Sequence, residues 1–438
     1  MDLTTMRQIR QQIWQCFARS ADALFELADA LTSEVTARSL PELSLSPSLR
    51  RQWSSVYEAL ADGRIEAQRW SRVWTQALMK SQEGRVWLSI DTTSIARPEA
   101  DTSSDRGMIY VCNLPHANRP VSVGWQFSTI MLLPERRSSW GAILSHQRIA
   151  SSQTAVEVGI AQLERLRPLL PDGGRLLADR WYPTGPFLSA CQRLAVEALM
   201  RMKRNRKLYR AVPAAPAGKR GAPRKHGALF QGSKPETWGE PDERWQGSDE
   251  AGKPIQIAAW HRLHFRQAPS VEVSVYRVVR ERAKGTRRDP VESWLCWVGP
   301  VPLPLGEIVS TYRYRFSHEH TYRFLKQDLL WTKARVRTPE QFERWSLIVA
   351  TAMNQLVLAR SFGQAQFRPW ENRREVVTPR QVRRCMPALL MQLGTPTHQP
   401  KVRGKAPGWP KGVPRTRSAR FAVIKKPKPA PKSRRKRA

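Results

Sequence analysis

Residues 175–202 read RLLADRWYPTGPFLSACQRLAVEALMRM. A short apolar run ends on Asp179, a helix-like stretch covers about Gly185 to Leu194, and a second apolar run, VEALMRM, closes the segment. The Pro-Asp-Gly-Gly turn at 171–174 punctuates its start. Working outward toward the N-terminus, VWLSI (86–90) is another short apolar run, followed by Asp91. MIYVC (108–112) and VSVGWQFSTIMLL (121–133) are rich in β-branched and aromatic residues and read as adjacent strands. A helical pattern occupies roughly 153–168. The predicted order is three strands, helix, strand, helix, strand, an α/β arrangement. A lone Asp after a strand is more often a turn former. If the two aspartate-bearing strands are parallel neighbours, however, Asp91 and Asp179 lie at the carboxyl edge where open α/β sheets build sites.

The 438 residues carry 73 Lys plus Arg against 37 Asp plus Glu, a formal net charge of +36. Such an excess repels itself unless a polyanion offsets it, and nucleic acid is the natural partner because neutralising phosphates releases counterions. Cys16, Cys112, Cys191, Cys296 and Cys385 lie far apart, without metal-ligand spacing, and their odd number argues against a disulfide framework. A reducing cytoplasm is expected. The opening MDLTTMRQIRQQIW does not read as a signal peptide. No uninterrupted apolar run is long enough for a bilayer, so no membrane role is expected.

Composition divides the chain into five stretches. Residues 1–80 read as a helical N-terminal DNA-binding or accessory domain, with a break at LPELSLSPS. Residues 81–202 hold the strand and helix series. Residues 203–300 read as a β-rich insertion, with strand-like IQIAAW (255–260), VEVSVYRVV (271–279) and SWLCWVG (293–299). In it, Trp260, Trp294 and Trp297 have two readings: sheet core, the favoured one, or stacking on a flipped base. GKRGAPRKHG (218–227) lacks the features of a phosphate-cradling loop and reads as a basic DNA-contacting loop or a linker. Residues 301–375 return to helix, with Thr338-Pro339-Glu340-Gln341 forming a capping start. Residues 376–438 are basic, and from about 401 the density of Lys, Arg and Pro predicts disorder.

The stretch YRYRFSHEHTYRFLK (312–326) supplies the third carboxylate. At about 100° per residue, with Glu319 at zero, Tyr312 falls at about +20°, Arg315 at about −40° and Lys326 at about −20°. All four share one face if a single helix covers them. A solvated polar stripe would look the same. His318 and His320 point away from that face and read as solvated or DNA-facing. Three carboxylates, Asp91, Asp179 and Glu319, suit hard divalent cations such as Mg²⁺. Two ions about 3.5–4 Å apart would clamp the attacking and leaving oxygens of a phosphodiester.

With these residues the chain resembles the DDE transposases of bacterial insertion sequences, whose catalytic domain is RNase H-like. Their Tyr-x2-Arg-x3-Glu-x6-Lys signature matches Tyr312, Arg315, Glu319 and Lys326 without a gap. Their first aspartate ends a first strand, as Asp91 would in SIDTTSIARP, and their second ends a fourth, as Asp179 would in LLADRWYPTGPFL. The resemblance covers roughly 80–360. It implies an RNase H-like mixed sheet with flanking helices, interrupted by a β-rich insertion. It further implies that Asp91, Asp179 and Glu319 bind two Mg²⁺ ions (Mn²⁺ substituting), while Tyr312, Arg315 and Lys326 contact phosphates near the scissile bond. The implied partners are double-stranded DNA, as terminal inverted repeats and as target, and a second protomer on that DNA. The implied setting is the nucleoid of a bacterial cytoplasm. Two other readings stay open: an RNase H-like nuclease without strand transfer, and a non-catalytic DNA-binding derivative.

Overall fold

The structure is a computed structural model. It describes the whole chain except residues 1, 81, 83–84, 112–119, 135–137, 172–173, 213–223, 250–251, 281–290, 363–367, 372–375, 402–407, 409, 415 and 426–438. Cys112, the centre of the 171–174 turn, most of the 218–227 loop and the terminal KSRRKRA therefore lie outside the described residues.

One mixed sheet organises the molecule. Its centre is built from β1 (Trp87–Ala96), β2 (Val121–Leu132), β3 (Ala142–Ile149), β4 (Arg175–Ala178) and β5 (Glu197–Met202). Their spatial order is β3-β2-β1-β4-β5. β2 runs antiparallel to β1 and β3, whereas β1, β4 and β5 are parallel. Parallel neighbours need a crossover, and the helix Gly185–Arg193 supplies it between β4 and β5. The helix Ala155–Leu166, opened by a Thr154–Glu157 capping box, links β3 to β4. This is the expected RNase H-like mixed sheet with flanking helices.

The run at 108–112 lies beside the strand at 121–133 as read: among the described residues Gly107–Tyr110 pairs antiparallel with β2, at the edge of the sheet. One assignment is missing from the sequence reading: the third central strand is β3, AILSHQRI. Its polar Ser145 and His146 are buried, so inside and outside do not alternate along the strand. Each has a partner: Gln162 Nε2, on the helix Ala155–Leu166, donates to Ser145 Oγ (3.0 Å), and His146 Nδ1 pairs with Thr129 Oγ1 on β2 (2.8 Å).

The β-rich insertion extends the same sheet rather than forming a separate layer. Its strands β6 (Pro254–Phe265), β7 (Ala268–Arg280) and β8 (Glu292–Val298) join through β8, which pairs antiparallel with β5, Cys296 opposite Met200. Trp260, Trp294 and Trp297 are buried, and Trp260 stacks on Trp294 at 5.9 Å, as the sheet-core reading has it.

The N-terminal helices share a hydrophobic cluster with the sheet. Ala21–Ser33 is buried along nearly its whole length and packs on Pro339–Ala359 and Pro379–Leu393. Inside that contact, Arg10 donates to Asp29 Oδ2 (2.8 Å) and Arg50 to Glu26 Oε1 (2.8 Å), so each buried charge has a partner. The capping start at Thr338 is present, with Gln341 at its third position. The basic C-terminal region is not wholly detached: Ile424 bridges Gly107 at the sheet edge, and Arg106 donates to Phe421 O (3.2 Å).

Candidate active site

The position of the two aspartates follows from strand register. β1 and β4 pair in parallel from Trp87–Arg175 to Ile90–Ala178. The next residue on each strand is an aspartate. Parallel neighbours lie about 4.8 Å apart, so Asp91 and Asp179 sit side by side where β4 stops. Asp91 does not end its own strand: β1 continues to Ala96, paired with β2. The β1–β4 pairing ends at Ile90 and Ala178, one residue before the two aspartates.

Side chains alternate along a strand. Ser89, Asp91 and Thr93 therefore share one face of β1. The Phe316–Gln327 helix lies along that face. Ser89 Oγ pairs with His318 Nδ1 (2.7 Å), Arg315 Nη1 donates to Asp91 Oδ2 (2.8 Å), and Lys326 Nζ donates to Thr93 Oγ1 (2.6 Å) and Ser94 O (3.1 Å). Tyr322 Oη donates to Asp91 O (3.0 Å). The helix thus reads the odd-numbered residues of β1 in sequence, and Glu319 is brought in with it.

The helix expected over 312–326 is interrupted. Ile308–Arg313 and Phe316–Gln327 are separate α-helices. Between them the amides of Tyr314, Arg315, Ser317 and His318 bond three residues back, a tightened turn. The signature residues still converge. Tyr312 Oη reaches Ala178 O (3.4 Å), beside Asp179, and Arg315 bridges Asp91 and Glu319 with its two terminal nitrogens.

Electrostatics mark the same spot. Burial pushes the Asp91 carboxyl up to about 6, against the opposing pull of Arg315 and the Thr92 amide, while Asp179 and Glu319 add to the rise. Burial works to lower the Arg315 pKa, but Tyr312 and the three acids outweigh it and hold the guanidinium firmly charged. Burial also raises the Tyr312 hydroxyl to about 12.

His318 departs from the solvated role expected for it. It is fully buried, with its pKa well below the usual range through burial and the nearby Arg315, and it ties the helix to Ser89. His320 is half-buried. Sequence reading also missed Ser89, Thr93 and Tyr322. The available signal was the period-two series Ser89-Asp91-Thr93 set against helical spacing in 315–326.

The donor set, three carboxylates and no sulfur or imidazole, has the chemistry of a hard-cation site. As arranged, Arg315 occupies the gap between two of them, and among the described residues no three acids, histidines or cysteines are grouped to hold a metal ion. Chemically the residues fit a divalent cation, with the guanidinium supplying the compensating charge in its place. Among the described residues no helix is long and apolar enough to cross a membrane.

The chain matches the family model of DDE superfamily endonucleases over residues 12–265. That match takes in Asp91 and Asp179 and ends before Glu319. Among solved structures, the cryo-EM structure of a piggyBac transposase synaptic complex with hairpin DNA is similar over 85% of this chain and 70% of that one, at 11% identity and a TM-score of 0.43. No curated protein matches the sequence.

Proposed function

The chain belongs to the DDE superfamily endonucleases, and from that premise we propose that it is a DNA transposase of the insertion-sequence class. It binds the terminal repeats of its element, cuts a strand there, and joins the freed 3′-hydroxyl to target DNA. The observation that carries this reading is the register of β1 against β4, which sets Asp91 beside Asp179 while the signature helix delivers Glu319 through Arg315. Asp91, Asp179 and Glu319 are the groups that would hold divalent cations, Mg²⁺ by the hardness of the oxygen donors. The chemistry such a cation would supply there is activation of the attacking oxygen and compensation of charge on the leaving one.

The chain's own residues supply positioning. Lys326, fixed to Thr93 and Ser94, presents a point charge beside the acids. Arg315 offers a planar fork that suits carboxylate and phosphate alike. Tyr312 Oη donates to the last carbonyl of β4, that of Ala178, next in the chain to Asp179. The net charge of +36 favours long DNA contacts. Pairing two element ends calls for a second protomer on DNA.

The test is a donor plasmid carrying the gene with its flanking DNA, incubated with protein, target plasmid and Mg²⁺. Joined products support transposition; cut products alone leave a nuclease; bound DNA with neither leaves a binding protein. Asp91→Asn, Asp179→Asn and Glu319→Gln should each abolish cutting and retain DNA binding. Wild-type cutting by any one removes that residue from the site.

A further inference from the structure

Trp181 follows Asp179 by two residues and is 56% exposed, whereas Trp260, Trp294 and Trp297 are buried in the sheet. Trp53 and Trp370 are exposed as well, at 60% and 75%, so what sets Trp181 apart is its place two residues past Asp179 and the cations around its ring. The turn that presents it is well defined. Tyr182 N donates to Asp179 O (3.1 Å), and Tyr182 itself is buried against Phe187. The turn therefore sends Tyr182 inward and leaves Trp181 outside. Lys203, just past the end of β5, places Nζ 3.4 Å from the centre of the Trp181 ring, and the Arg180 guanidinium lies 5.7 Å from it. Burial, with Arg206 and Arg180 nearby, lowers the Lys203 pKa. The result is an aromatic plate edged by cations. It stands at most about 7 Å along the chain from Asp179, comparable with one nucleotide step.

We propose that Trp181, with Lys203 and Arg180 beside it, is a stacking platform for an unpaired base next to the phosphate held at Asp179. The inference rests on the reading of this site as one that cuts DNA. The chemistry is specific. The cations suit a phosphate, and the open part of the indole suits the face of a base. A base inside a duplex has both faces covered, and extruding it costs at least as much as one stacking contact returns. Trp181 alone does not open a duplex. It captures a base already free, at a frayed or newly cut end, and so holds the reactive strand in line with Asp179.

The experiment uses the full-length protein in EDTA, so that nothing is cut, and fluorescein-labelled duplexes read by anisotropy at one fixed salt concentration. One duplex is blunt, one carries a short single-stranded 3′ tail, and one carries the same tail with abasic sites in place of bases. Wild type should bind the tailed duplex about 5- to 150-fold more tightly than the abasic one. Trp181→Ala should erase that ratio while leaving blunt-duplex affinity within about twofold, and Trp181→Phe should keep most of it. A Trp181→Ala protein that melts like wild type yet keeps the ratio overturns the proposal. So does a Trp181→Phe protein that behaves like Trp181→Ala. If wild type binds none of the duplexes, the reading as a DNA enzyme fails along with this inference. If it binds all three equally, only the platform fails.

Discussion

Arg315→Gln separates the structural part of the site from its chemistry. In the absence of divalent cation, Arg315 is the charge that balances Asp91, and the side chains are 13% and 17% exposed. Removing one partner of a buried ion pair costs about 3–5 kcal/mol when the remaining charge cannot be neutralised. Here it can be. The Asp91 carboxyl is already raised to about 6, burial being the largest cause, and losing Arg315 removes the main opposing pull. Protonating it at pH 7.5 costs at most about 2 kcal/mol, from about 1.5 pH units at 1.36 kcal/mol each. Protonation therefore sets the ceiling. Glu319 is 43% exposed and adds little. The expected loss in EDTA is about 2 kcal/mol at pH 7.5, shrinking toward zero near pH 6. Saturating Mg²⁺ or Mn²⁺ should return more stability to the variant than to wild type. Denaturant unfolding followed by circular dichroism, at both pH values with and without cation, measures all of this. An unchanged midpoint at pH 7.5, or an equal loss at pH 6, would refute the reasoning.

Acid should destabilise the metal-free protein through its buried histidines. His146 is held down to about 3 by burial, below its unfolded value, so its contribution is complete above about 6.5 and falls by about 1.4 kcal/mol per pH unit below that. Asp91, raised instead, offsets a similar amount between its unfolded value of 3.8 and about 6. His146→Asn should flatten the pH dependence of the unfolding free energy, and an unchanged slope counts against a neutral buried His146. At Gly159 an added Cβ would lie 2.8 Å from Ile90 Cδ1 and 3.2 Å from Tyr182 Cε1. Gly159→Ala should be nearly neutral, since Ile90 can yield and the helix gains about 1 kcal/mol. Gly159→Val should cost about 1–3 kcal/mol and slow cutting by shifting Ile90, the neighbour of Asp91; a fully active, equally stable Val variant would contradict that packing. Deleting residues 426–438 removes seven Lys and Arg but spares the bridge at Ile424. The slope of log affinity for DNA against log salt should fall by up to about 6, and an unaltered slope would mean that those charges do not meet phosphate.

The amino-acid sequence by itself determined the elements whose signals are local. Apolar runs ending on Asp91 and Asp179, the crossover helix after Gly185, the capping start at Thr338 and the spacing of Tyr312, Arg315, Glu319 and Lys326 all lie within a few residues of one another. It did not determine β3, because Ser145 and His146 are polar yet buried, and their partners Gln162 and Thr129 come from elsewhere in the chain. Nor did it place the β-rich insertion within the same sheet, since the β5–β8 pairing joins residues almost a hundred positions apart. The tertiary structure alone decided that Arg315 bridges two acids, that His318 is a buried tie to Ser89, and that Trp181 stands open while three other tryptophans do not. Burial and register depend on what the folded chain brings alongside a residue, and no local pattern encodes its distant neighbours.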